Sequence, residues 1–119
     1  TCYSGWQNTL AQKMPTKQQV QQLASKYPNL SSQIASLAQR ILNGSLTVQQ
    51  ALISVDAITS KIPVPTVGAG LKGAACILNA ATTRSSTEQQ VALQLAGNLV
   101  QLAANFLATI KDKNKPSQY

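Results

Sequence analysis

The sequence predicts an all-α protein: a single domain over 1–119, built as a bundle of five or six helices in which amphipathic helices surround a central hydrophobic, glycine-rich one. Three observations lead there. The chain is 44% hydrophobic, but much of that is alanine and leucine, with one Trp, three Tyr and one Phe, a composition that favours helix over sheet. Its larger apolar residues recur at three- and four-residue spacing, and strand-like alternation is missing. Three apolar runs are preceded by an S/T-x-x-E/Q signature, in which a hydroxyl and an amide or carboxylate satisfy two orphan backbone amides reciprocally.

Residues 3–13 form a weak first helix or an extended lead-in, with Trp6 and Leu10 on one face, ended by Met14 and Pro15. Thr16 and Gln19 cap a second helix that runs to about Lys26, with Val20, Leu23 and Ala24 apolar, closed by Tyr27 and Pro28. A third opens in Asn29–Ser32 and gathers Ile34, Leu37, Ala38 and Ile41 on one face before Asn43 and Gly44 stop it, Gly44 suiting a left-handed position. Thr47 and Gln50 cap a fourth, whose apolar period runs from Val48 to Ile58 and ends at Lys61.

The stretch Pro63–Thr82 carries one charge, Lys72, and is read as the buried centre. Pro63 and Pro65 end what precedes it, and Thr66 is the expected N-cap. Val67, Leu71, Ile77 and Leu78 supply bulk, while Gly68, Gly70, Gly73, Ala74 and Ala75 leave the other faces bare. Three glycines cost an isolated helix about 1 kcal/mol each, so packing must hold this one. Ser85 and Glu88 head the longest helix, about 86–111. Val91, Leu95, Leu99, Leu102, Phe106 and Ile110 form one apolar row, and Leu93, Ala96, Val100, Ala103 and Leu107 a second. A strip of Gln90, Gln94, Asn98, Gln101 and Asn105 is left for solvent, and no charge occurs from Gln89 to Ile110.

Ten Lys or Arg face three acids, Asp56, Glu88 and Asp112, for a net charge of +7. The expected partner is therefore anionic: the membrane of a target cell or a cell-wall component. The cations are scattered, without a dense patch interleaved with aromatics, so nucleic acid is not expected. Charged residues are only 11% of the chain, which leaves a surface of amides and hydroxyls more typical of secreted than of cytosolic proteins. A start at Thr1, without methionine or a leading hydrophobic segment, fits a mature secreted form as well as simple trimming. Cys2 and Cys76 are compatible with one disulfide in an oxidising compartment; two free thiols, or a bond from Cys2 to another chain, are the alternatives. Asn29-Leu30-Ser31 and Asn43-Gly44-Ser45 are N-glycosylation sequons in expected loops.

With no histidine and three scattered acids, the chain offers no nucleophile–base unit, no paired carboxylates and no ordinary metal site, so neither an enzyme nor a cofactor is expected. Cys76 lies among Ala74, Ala75, Ile77 and Leu78 and reads as structural. The glycines at 68–73 lack the phosphate-loop spacing. The central stretch and the last helix approach the roughly 20 residues that span a bilayer, but one is short and glycine-rich and the other carries a strip of amides. An ordinary core is the plainer interpretation; a membrane-seeking hairpin hidden within a bundle is the sharper one.

Segment 66–82, a glycine-rich hydrophobic helix expected among amphipathic ones in a small basic chain rich in Gln, Ser and Asn, resembles the killer toxins of smut and yeast fungi, including virally encoded ones. The resemblance implies a secreted protein lethal to competing cells through their envelope, allowing self-association or a second toxin subunit. Two other functions fit the residues. One is a carrier enclosing an apolar ligand among Val67, Leu71, Leu95 and Leu99; the other is a non-enzymatic effector that recognises a partner through its neutral polar surface.

Overall fold

The computed structural model describes residues 25–62 and 65–113, together with Gln18 and Gln22; for 65–67, 106 and 109–113 the backbone alone is described. These residues form four helices and no strand: α1 (Leu30–Leu42), α2 (Val48–Thr59), α3 (Pro65–Ala81) and α4 (Ser86–Lys113). The all-α expectation holds. The expected first helix lies outside the described residues, and of the second only Gln18, Gln22, Ser25 and Lys26 are described, all with helical backbone.

Local chemistry sets the boundaries. α1 starts after Asn29, whose side chain makes no capping bond, and buries Leu30, Ile34, Leu37, Ala38 and Ile41 along one stripe. Gly44, at φ +80°, turns the chain left-handed there. The Gly44 amide donates to the Ile41 carbonyl and the Ser45 amide to the Arg40 carbonyl at 3.1 Å, the paired bonds of a Schellman stop. At the head of α2 the Gln50 amide donates to Thr47 Oγ1 and the Thr47 amide to Gln50 Oε1, the full reciprocal cap. The Ser85 cap of α4 is half-formed: the Glu88 amide donates to Ser85 Oγ at 3.3 Å, but the carboxylate takes the hydroxyl proton of Ser85 instead of the backbone amide. Arg84 holds that carboxylate from the other side at 3.6 Å, in an exposed pair of little energetic weight.

α3 begins two residues earlier than expected. Pro65 is its first residue, where a missing amide costs nothing because no intrahelical partner exists there, so Thr66 lies inside the helix instead of capping it.

The helices do not pack in chain order. α4 lies against both α3 and α1, and α3 lies against α2, while α1 and α2 touch each other only lightly. The spatial sequence is thus α1, α4, α3, α2. A glycine makes room at each of α4's two interfaces, for backbone at one and for a side chain at the other. A Cβ placed on Gly70 of α3 would sit 3.2 Å from the Leu99 carbonyl oxygen and 3.3 Å from Ala103 Cβ; one on Gly97 of α4 would sit 2.6 Å from Leu42 Cδ2. The fully buried large side chains, Leu30, Ile34, Ile41, Val55, Leu71, Leu78 and Val100, come from all four helices and form one core.

In this order α3 and α4 are both interior, so the centre expected of α3 alone is shared with α4. α3 lies between α4 and α2 and still exposes Lys72, Cys76, Asn79 and Ala80, while α4 lies between α3 and α1.

Candidate functional site

Of the residues singled out on the central helix, Gly70, Leu71, Gly73 and Leu78 are buried, and Ile77 is only half-buried. The side chain of Val67 lies outside the described residues. Cys76 is exposed, contrary to the burial its neighbours in sequence suggest. At about 100° per residue it stands on the side of α3 away from Leu71 and Leu78, and the apolar residues next to it in the chain point elsewhere. No free cysteine occurs among the described residues, and Cys2 lies outside them. Asn29 and Asn43 are both exposed. Asn43 sits in the turn after α1, where its Oδ1 accepts from both the amide and the hydroxyl of Ser45.

The long helix departs most from expectation. The row of Leu93, Ala96, Val100, Ala103 and Leu107 packs inward, Leu93 only partly. The other row splits: Leu99 is buried, whereas Val91, Leu95 and Leu102 are 55%, 38% and 44% exposed. Residues 91, 95 and 102 fall within about 40° of one another around the helix, with Asn98 among them and Gln94 and Asn105 at the margin. The outer face of α4 is therefore mixed apolar and amide, without charge, where a purely amide strip was expected. Gln94 is committed elsewhere, since its Nε2 donates to the Leu42 carbonyl and pins the end of α1 to α4.

The light contact between α1 and α2 opens a groove of about 460 Å³. Leu37 and Ile58 form its apolar floor, and Ser32, Ser36, Arg40 and Ser54 lie along its walls. Nothing in the sequence marks this groove. It arises because α1 packs on α4 rather than on its neighbour in the chain. Of the carrier residues with described side chains none lines it: Leu71 and Leu99 are in the packed core and Leu95 faces solvent.

Among the described residues no three of His, Cys, Asp and Glu come together as a metal site, and no described helix is long and apolar enough to cross a membrane. Lys26, Arg40, Lys61, Lys72 and Arg84 are all exposed, as are Asp56 and Glu88. No protein-family model, characterised protein or solved structure matches this chain.

Proposed function

We propose that this is a secreted, basic, non-enzymatic toxin or antimicrobial protein that acts at the envelope of target cells by binding and perturbing an anionic surface. The observation that carries the reading is the outer face of α4. Val91, Leu95 and Leu102 stand in solvent on a helix without charge from Gln89 to Ile110, in a chain of net charge +7. Long-range attraction brings such a chain to an anionic surface, and exposed apolar side chains hold it there once the distance falls below the screening length. The resemblance of segment 66–82 to fungal killer toxins points the same way. One intrachain bond between Cys2 and Cys76, and glycosylation at Asn29 or Asn43, belong to the same proposal. Both asparagines are exposed, as sugar attachment requires. The carrier reading is weaker, because Leu95, one of its four lining residues, faces solvent.

The test combines growth inhibition of a panel of fungal cells with dye release from anionic liposomes. Inhibition with release is expected; a pure, folded protein that does neither overturns the proposal. Release by a hidden hairpin is separated from surface action by Gly70→Cys with Ala103→Cys. The Cβ atoms there would be 3.3 Å apart, just under the roughly 3.5–4.5 Å of a disulfide, so the bond would lock α3 to α4. Leakage abolished by the lock and restored by reduction supports emergence of α3 and α4. Leakage that persists in the locked protein leaves the surface of the intact fold as the agent.

A further inference from the structure

The groove between α1 and α2 is open and mostly apolar, with a row of polar side chains along its α1 wall. Ser32, Ser36 and Arg40 are spaced four residues apart, so they stand in one row along α1, about 12 Å from end to end. Serines within helices commonly return their hydroxyl to a carbonyl of the preceding turn, as Thr59 does to Val55 and Ser60 to Ala57. Among the described residues Ser32, Ser36 and, across the groove, Ser54 make no such bond, and the Arg40 guanidinium has neither ion pair nor hydrogen bond. A row of unused donors therefore ends in a fixed positive charge above a floor of Leu37 and Ile58. Asp56, the acid of α2, stands about 200° around that helix from Ser54 and does not line the groove.

Hydroxyl donors in line with a guanidinium suit an acceptor-rich anion, and guanidinium pairs with phosphate in a two-pronged hydrogen bond. The apolar floor asks for carbon next to that anion. The groove volume lies within the range of small-ligand sites, which often form between bundle helices. We infer that the groove receives the phosphate headgroup of an anionic phospholipid presented by a membrane, with the phosphate on Arg40, glycerol or headgroup oxygens on the serines, and the first carbons of the lipid over Leu37 and Ile58. This rests on the proposed action at an anionic envelope and names the lipid and the residues that would read it.

The probe is vesicle co-sedimentation at physiological salt, comparing phosphatidylcholine vesicles with and without phosphatidylglycerol. Wild-type protein, Arg40→Gln, Ser36→Leu and Lys61→Gln are used, the last removing an exposed cation outside the groove. Arg40→Gln and Ser36→Leu are expected to weaken binding to the anionic vesicles roughly tenfold, the loss of one charge-assisted contact or of access to it, and Lys61→Gln by less than about twofold. Circular dichroism and melting curves establish that each variant is folded. An equal, small loss for Arg40→Gln and Lys61→Gln means that total charge alone governs binding and overturns the groove. A lower melting temperature for Arg40→Gln with unchanged vesicle affinity assigns Arg40 to the helix dipole and overturns it too. Displacement by millimolar glycerol phosphate of wild-type but not Arg40→Gln protein supports the headgroup. If glycerol phosphate binds the groove while vesicles do not compete, a free phosphate ester is the ligand and the membrane source is wrong. Failure of wild-type protein to bind any anionic vesicle overturns this inference, and the envelope reading falls with it only where growth inhibition is absent too; selective indifference to Arg40→Gln overturns this one alone.

Discussion

Substituting the glycines of α3 one at a time reads out how closely its inner face is approached. Alanine is better than glycine by about 1 kcal/mol within a helix, because the folded state gives up less backbone entropy. At Gly68 the new Cβ would meet only Ile62, at 3.9 Å, an ordinary contact. Gly68→Ala should therefore keep most of that gain, about 0.5–1 kcal/mol, which in a domain of this size raises Tm by about 2–6 °C. At Gly70 the same Cβ would meet the Leu99 carbonyl at 3.2 Å and Ala103 at 3.3 Å, part of a neighbouring helix that cannot rotate away as a side chain can. The gain should be cancelled, leaving Gly70→Ala neutral to about 1 kcal/mol destabilised, and Gly70→Leu should cost the 1–3 kcal/mol or more of an overpacked core. At Gly97 the Cβ would strike Leu42 at both Cδ2, 2.6 Å, and Cγ, 2.7 Å, so the whole Leu42 side chain must move, and Gly97→Ala should lose the helical gain and cost about 0.5–1.5 kcal/mol or more. The assay is thermal and urea unfolding followed by circular dichroism, with an unchanged urea slope as the sign that the unfolded state is not altered. Gly70→Ala stabilising as much as Gly68→Ala would refute the close approach of α3 to α4.

Thr47→Ala removes one half of the reciprocal cap of α2 and should lower stability by about 1 kcal/mol in the same assay. Leu78→Ala, at a fully buried position, should cost about 2–5 kcal/mol, whereas Leu102→Ala should stay within about 0.5 kcal/mol while reducing vesicle binding; a large loss of stability at Leu102 would mean that α4's outer face is covered. Cys2→Ser should lower stability by about 2–4 kcal/mol if the tether to Cys76 forms, and the mass of the intact non-reduced chain should fall short of the reduced one by two hydrogens. An unmodified thiol at Cys76 would end the argument for an oxidising compartment.

Features encoded over a few neighbouring residues were legible in the sequence. Thr47 with Gln50, Asn43 with Gly44, and the period of α1 each carry their own geometry, and the structure places all three as expected. What depended on the choice among several apolar faces was not legible. α4 carries more apolar surface than two neighbours can cover, and periodicity alone does not say that Leu99 is turned inward while Val91, Leu95 and Leu102 are left out. Cys76 misleads for a related reason, since adjacency along a helix is not adjacency in space. The α1–α2 groove lies further still from the sequence, because it follows from the pairing of α1 with α4.

That pairing also bears on how the chain comes to be made. During synthesis α1 emerges first of the described helices, and its apolar stripe, Ile34, Leu37, Ala38 and Ile41, finds little shelter against α2, the helix that follows it. Its main partner does not leave the ribosome until α2, α3 and the intervening turns have been translated. The nascent chain must therefore carry that stripe uncovered for most of its elongation, exposed to chaperones or to other chains, and it closes only when the last helix arrives. A message truncated before Ser86 would keep only the α2–α3 interface and leave α1 without its main partner, and a slow codon tract upstream of that point would lengthen the vulnerable interval.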